Sequence, residues 1–310
     1  MEPTQGAPVN LLKVRDDHHP ICFRAKDDGT FELCEVADVS WLSDGQEIKL
    51  KDIRKHVEPW LTALFQSEHL SLLAGSGLTH AVHEMATGEL AAGMSGNVTD
   101  GDYKDKIIAA AEVSAKAAGR DKSNIEDQFR IANELLRGME IVQQTDKANA
   151  LRNDVSNALK VLAKSILQSE GNITSANENK RVLAFNALIT FLMSFSSRTG
   201  TRDRLNIFTT NYDRLLEMGA ELAGLHLLDR FVGNLMPIFR SSRLDLDMHY
   251  NPPGIRGEPR YLEGVARFSK LHGSIDWVQT ESDIRRIGLP FGAKDVEPFL
   301  DAPGLGEVTP

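Results

Sequence analysis

The sequence predicts an α/β fold that is organised around a parallel β-sheet. Three short apolar segments, at 70–74, 205–209 and 266–271, have the length and character of buried strands. Each ends at small or polar residues that are typical of turns, and the first two turns lead into predicted helices. We therefore expect a Rossmann-like fold, in which ligands usually bind at the carboxyl ends of the strands.

The first 65 residues are expected to form an N-terminal extension. Apolar residues alternate over 21–33 on either side of an Asp-Asp-Gly turn, which predicts a β-hairpin. Apolar residues over 53–64 follow helical spacing, and Pro59 would either open or kink that helix. The α/β domain is expected to occupy 66–310.

A large helical insertion is predicted at about 100–200. Two apolar stripes with helical spacing support it: Ile125, Phe129, Ala132, Leu136 and Met139, then Leu151, Val155, Leu159, Leu162 and Ile166. The segment 182–195 is apolar almost all round, which predicts a buried helix. Gly171-Asn172 is expected to interrupt the helical pattern.

Composition restricts the classes of function. The 310 residues contain no run of about eighteen apolar residues, so no membrane span is expected. The first ten residues lack the features of a secretory signal, and the chain has two cysteines, Cys22 and Cys34, which excludes a disulfide scaffold and favours the cytoplasm. A formal net charge of −9 argues against direct binding to nucleic acid.

The first candidate motif is Gly75-Ser76-Gly77-Leu78-Thr79, directly after a predicted strand. Glycines at this position let backbone N–H groups approach a pyrophosphate, and the start of the next helix favours negative charge. A tight turn without a ligand explains the motif equally well.

Two further motifs follow predicted strands. Thr209-Thr210-Asn211-Tyr212-Asp213 ends one of them, where its Asn and Asp could bind a ligand or only cap a helix. The motif at 271–274, Leu-His-Gly-Ser, ends the third strand, and taken alone it favours a structural histidine and a turn.

The order of the three motifs resembles the sirtuin family. That family carries Gly-Ala-Gly-x-Ser, Thr-x-Asn-x-Asp and His-Gly in the same order. The resemblance extends over residues 66–280 and not over the first 65. It implies a Rossmann-like sirtuin domain that takes NAD as its substrate.

The resemblance also implies a role for each matching residue. Asn211 would orient the nicotinamide ribose and the nucleophile, and His272 would act as general base. Asp213 would lie near the nicotinamide. The residues implied to contact the cofactor are Gly75, Ser76, Gly77, Thr79, Thr210, Asp213, Gly273 and Ser274.

The sequence departs from sirtuin deacylases in two respects. The sequence has two cysteines, both before the α/β domain, and they do not form a Cys-x-x-Cys pair. A zinc site of four cysteines is therefore impossible, and no metal is expected. The Gly-x-Pro-Asp-Phe-Arg stretch of that family is also missing at 80–85. In both departures the sequence resembles the sirtuin-like NADases of bacterial anti-phage defence. These act with HerA-type ATPases, with short Argonautes or in Thoeris systems. The branch paired with a HerA-type ATPase is favoured.

The expected function is therefore that of an NAD glycohydrolase that depletes NAD in abortive infection. A non-catalytic subunit that binds NAD or ADP-ribose is the alternative, and a deacylase is disfavoured by the missing zinc module. A homo-oligomer is expected, and the resemblance implies that it is gated by a companion protein, such as a HerA-type ATPase or an Argonaute, or by a small nucleotide signal. The helical insertion is expected to serve assembly or gating, or simply to pack against the sheet. After 277 no segment resembles the strands that complete a sirtuin sheet, and 301–306 is expected to be a loop, so a fragment of a longer protein is favoured over an unusual adenine site.

Overall fold

The computed structural model describes residues 10–13, 18–26, 30–34, 42, 48–92, 96–197, 203–242, 246–250 and 260–295. The chain divides into two compact units, 1–70 and 71–310. The boundary expected from the sequence lies five residues earlier, at 65.

The first unit is a small antiparallel sheet followed by a helix. Its elements are β1 (Asn10–Leu12), β2 (Ile21–Ala25), β3 (Thr30–Leu33), β4 (Ile48–Lys49) and α1 (Leu50–Phe65), and the strands pair in chain order. The predicted hairpin is confirmed as the β2–β3 pair, while its turn at 27–29 lies outside the described residues. Pro59 lies inside α1, so it does not open the helix.

The second unit contains a parallel sheet with helices between its strands. Its elements are β5 (Ser71–Ala74), α2 (Ser76–Thr87), α3 (Lys104–Ala117), α4 (Ile125–Ile141), α5 (Thr145–Ser175), α6 (Glu178–Ser196), β6 (Leu205–Thr209), α7 (Leu215–Ala223), β7 (His226–Leu228), β8 (Phe231–Val232), β9 (Ile238–Phe239), β10 (His249–Tyr250), β11 (Arg260–Tyr261), β12 (Val265–Lys270), β13 (Trp277–Gln279) and β14 (Ile284–Arg286).

The parallel sheet has the order β5-β6-β12-β7. The three strands predicted from the sequence correspond to β5, β6 and β12, and the expected α/β class with a parallel sheet is confirmed. Alternate residues of these strands are buried, among them Leu72, Ile207 and Phe268, whereas Leu73 on the other face of β5 is exposed. β7 lies in the segment between the second and third motifs.

The helical insertion consists of α3 to α6. The two predicted stripes, except for Ile166, form one apolar cluster between α4 and α5 together with Val98 and Ile107. Ile166 lines the cavity described below. Asn124 and Asp127 form a reciprocal capping box that begins α4, which satisfies backbone N–H groups of the first turn.

Two predictions for the insertion are wrong. α5 continues through Gly171-Asn172, because burial of Leu167 and Ile173 on either side outweighs the roughly 1 kcal/mol that a helical glycine costs. α6 is not buried all round: Ala184, Leu188 and Leu192 are buried, whereas other apolar residues of the helix are exposed, namely Val182, Leu183 and Met193.

The helix after β6 begins later than expected. α7 starts at Leu215 rather than at Tyr212, because the backbone N–H of Leu215 donates to the Asp213 carboxylate and the intervening residues form a loop. The predicted end is confirmed, since Gly224 adopts a left-handed conformation with φ of 70°.

Apart from β12, the strands after β7 form short antiparallel pairs. β13, β14, β9 and β8 make one sheet in that order, and β10 pairs with β11. Residues 301–306 lie outside the described residues. No helix within the described ranges combines the length and the apolar character needed to cross a membrane.

Candidate functional site

The register of the parallel sheet brings the three motifs to one edge. Ala74 pairs with Thr209, and Thr209 pairs with Lys270, at the ends of β5, β6 and β12. The segments that begin at Gly75, Thr210 and Leu271 therefore leave the sheet side by side. Parallel strands place their carboxyl ends at the same edge, which is where ligands bind in open α/β sheets.

A cavity of about 420 Å³ lies at this edge. Its walls include six residues predicted from the motifs: Ser76, Thr79, Thr210, Asn211, Asp213 and His272. The helical insertion contributes other parts of the wall, among them Asn124, Glu126, Ile166 and Ser169. Four predicted residues, Gly75, Gly77, Gly273 and Ser274, are not part of this lining. A volume of this size is in the range of small-molecule sites.

Asn211 joins the first two motifs. Its Nδ2 donates to the carbonyl oxygen of Gly75 at 3.0 Å and to Thr79 Oγ1 at 2.9 Å. Thr79 Oγ1 in turn donates to Asp213 Oδ2 at 2.7 Å. Both hydrogens of the Asn211 amide are thus used within the protein, which leaves its carbonyl oxygen as the group able to accept a hydrogen bond from a ligand or water.

The glycines of the first motif are not required by packing. A Cβ atom added at Gly77 would meet no atom of the described residues within 4 Å, and one added at Gly75 would be 3.8 Å from Thr210 Oγ1. Gly77 lies in the first turn of α2, where backbone N–H groups have no partner inside the helix. The space beside the exposed Gly77 is therefore unobstructed by the described residues, although Gly77 does not line the cavity.

Gly273, in contrast, has a structural explanation. Its φ of 95° lies in the region that residues with a Cβ rarely adopt. Ser274 is also structural, because its hydroxyl accepts from Lys270 Nζ at 2.9 Å and donates to the Tyr212 carbonyl at 3.3 Å. Both residues instead line a second cavity, described below.

Lys270, for which the sequence predicted no role, connects the second and third motifs. Its side chain is 1% exposed. Its Nζ donates to the carbonyl oxygens of Tyr212 and Asp213 and forms an ion pair of 2.9 Å with Glu217. The lysine precedes His272 by two residues, so its ammonium group anchors the loop after β6 to the end of β12.

Arg214 and Glu170 form a buried ion pair that anchors the same loop to α5. Arg214 Nη2 lies 2.6 Å from Glu170 Oε2, and the two side chains are 7% and 2% exposed. The guanidinium also donates to the carbonyl oxygens of Leu289 and Pro290. Burial raises the pKa of Glu170, while its contacts with Arg214 lower it and so favour the ionised pair.

Glu126, which sequence reasoning also missed, contacts two motif residues. Its Oε1 accepts from the hydroxyl of Tyr212 at 2.8 Å and lies 3.2 Å from Nδ1 of His272. Burial, reinforced by Glu126, raises the pKa of Tyr212 far above its usual range, so the hydroxyl remains a donor at neutral pH. An acidic residue in the first turn of a helix is too common to be recognised as part of a site from its sequence position.

Glu126, Tyr212 and His272 also separate two cavities. The second, of about 330 Å³, has mainly apolar walls that include Phe129 and Trp277. Among the described residues, no group of three or more His, Cys, Asp or Glu side chains is placed to hold a metal ion.

Comparison of the sequence with protein-family models and with curated proteins gives no match. The assignment of a function consequently depends on the motifs and on the geometry of this site.

Proposed function

We propose that the chain is a sirtuin-like NAD hydrolase, which cleaves NAD to nicotinamide and ADP-ribose. The observation that supports this most directly is that Asn211 and His272, 61 positions apart in the sequence, line one cavity beside the glycine-bearing turn of β5 and α2. Their order and residue types are those that resemble the sirtuin motifs.

The polar groups of the cavity suit this chemistry. When the bond between the ribose and nicotinamide breaks, its electron pair moves onto the nicotinamide ring and leaves an oxocarbenium-like ribose. Water then forms the new bond to that carbon and loses a proton. The Asn211 carbonyl is available to orient the water or a ribose hydroxyl, and His272 is available to accept the proton.

We assign the diphosphate to the start of α2, where the space beside Gly77 is unobstructed by the described residues, although Gly77 itself does not line the cavity. The N–H groups at the start of α2 and the helix dipole would favour an anion there, although the N–H of Leu78 already donates to the carbonyl oxygen of Gly75. Thr79 is already bonded to Asn211 and Asp213, so we assign it to positioning Asn211 in addition to any contact with the ligand.

The experiment that tests the proposal measures nicotinamide release from NAD by the purified protein. Asn211→Ala and His272→Ala are each expected to lower the rate by on the order of a hundredfold or more. Asn153→Ala and His226→Ala are matched controls, because both side chains are exposed and neither lines the cavity. These controls should retain the wild-type rate.

The alternative function gives a different result. A non-catalytic subunit would bind NAD or ADP-ribose in calorimetry without releasing nicotinamide, and the two cavity variants would weaken binding. Unchanged nicotinamide release by the His272→Ala variant would show that the assignment of the base is wrong.

We further propose that a partner protein, such as a HerA-type ATPase, gates the hydrolase. The cavity is lined jointly by the motif loops and by α4 and α5, so a displacement of the insertion would change its geometry. NAD loss should then be slow in cells that make this chain alone and fast when the partner and phage are present. Immediate toxicity of the chain alone would contradict gating.

A further inference from the structure

The contact between Glu126 and His272 has a chemical consequence for the histidine. An ionised carboxylate can only accept hydrogen bonds. When the imidazole is neutral, the hydrogen of the contact at 3.2 Å must therefore lie on Nδ1 of His272. The other ring nitrogen, Nε2, then carries a free lone pair.

We propose that Glu126 is a positioning residue that holds His272 as the Nδ1–H tautomer and orients its ring, so that Nε2 is the proton acceptor. The catalytic part of this role rests on the proposed function. The tautomer itself does not depend on any activity. A carboxylate that fixes the tautomer of a catalytic histidine is a general device in proton transfer.

Glu126 is itself held in place from two directions. Tyr212 donates a hydrogen bond of 2.8 Å to the same Oε1 atom. The capping box at Asn124 and Asp127 defines the start of α4, and Arg120 binds Asp127 through two hydrogen bonds of 2.8 and 2.6 Å. The helix dipole also favours a carboxylate in the first turn.

The other titratable groups near His272 do not offer the same contact. Asp213 is bonded to Thr79 and to the backbone of Leu215, and Lys270 is bonded to Glu217. His80, on α2, lines the same cavity. Glu126 is thus the carboxylate that the structure places against the imidazole.

A purely stabilising ion pair explains this geometry poorly. The side chains of His272 and Glu126 are 43% and 32% exposed, and ion pairs with that much solvent contact contribute little to stability. Loss of the Glu126 carboxylate should therefore change the tautomer of the His272 imidazole while leaving the melting temperature almost unchanged.

The experiment compares Glu126→Met, which keeps the length of the side chain but removes the acceptor, with Glu126→Gln, which keeps an acceptor oxygen without the charge. Glu134→Met is the matched control, since Glu134 lies on the same helix, is exposed, and within the described part of the chain pairs with Arg130 rather than with a cavity residue. Nitrogen-15 spectra of histidine-labelled protein report the tautomer at a pH where the ring is neutral. The His272→Ala spectrum identifies the resonances.

Wild-type protein and Glu134→Met should show the Nδ1–H tautomer at His272, and Glu126→Met should shift the ring toward Nε2–H. In nicotinamide release, Glu126→Met should lower kcat by on the order of a hundredfold with little change in the KM for NAD, and Glu126→Gln should recover part of the loss.

The results separate the two proposals. An Nε2–H tautomer in the wild type, or wild-type kcat in Glu126→Met, would overturn the role of Glu126 while leaving the hydrolase proposal intact. The expected tautomers in a protein that never releases nicotinamide would instead contradict the hydrolase and retain the positioning contact.

Discussion

Replacement of Gly77 by alanine tests whether this glycine is needed for ligand binding or for the fold. An added Cβ would meet no described atom within 4 Å, and Gly77 is helical with no positive φ. Alanine in place of a helical glycine stabilises by at most about 1 kcal/mol. For a unit of this size, that corresponds to a melting temperature raised by roughly 2–4 °C or left unchanged.

The same methyl group should weaken NAD binding. On the proposed function, it would lie in the space through which the diphosphate approaches the first turn of α2. Loss of one hydrogen bond to a charged group costs about 1.5–3 kcal/mol. At about 1.4 kcal/mol for each factor of ten, the KM for NAD should rise roughly ten- to hundredfold.

The assay combines thermal denaturation with the NAD dependence of nicotinamide release. Gly219→Ala is the structural control, because its Cβ would lie 2.8 Å from Leu188 Cδ2 on α6. Such overpacking costs about 1–3 kcal/mol and should lower the melting temperature. An unchanged KM in Gly77→Ala would refute the placement of the diphosphate, and a melting temperature as low as that of Gly219→Ala would refute the claim of open space.

Four further outcomes are expected. Glu170→Ala should destabilise the fold by about 3–5 kcal/mol in urea unfolding, because it leaves the Arg214 guanidinium buried without its partner; a loss below 1 kcal/mol would contradict that. Lys270→Met should lower the melting temperature and the rate together, since it releases the loop after β6 from the end of β12, and a change in neither would show that the anchor is unimportant. Val161→Glu, on the exposed face of α5, should reduce the oligomer size in light scattering if the insertion serves assembly, whereas an unchanged size and activity would favour simple packing. Metal analysis of tag-free protein should show no stoichiometric zinc, and one zinc per chain would reopen the deacylase interpretation.

The sequence by itself determined three strands of the parallel sheet and the motifs that follow them, but not β7 or the short antiparallel strands. The short apolar runs at 70–74, 205–209 and 266–271 were sufficient to locate β5, β6 and β12. Both the apolar character of a strand and the turn residues that follow it are local properties of the sequence. The end of α7 at Gly224 could be predicted for the same reason, since a left-handed terminal residue favours glycine. The predicted interruption of the helix at Gly171 is wrong because packing of the flanking side chains outweighs the low helix propensity of glycine.

Only the tertiary structure decided which other residues join the motifs. Glu126 is 146 positions from His272 and 86 from Tyr212, and Glu170 is 44 from Arg214. The exposed residues of α6 show the same limit, since its composition alone could not say which face would pack. Contacts between distant segments depend on sheet register and on how helices pack across it, and a single sequence carries no local pattern for either.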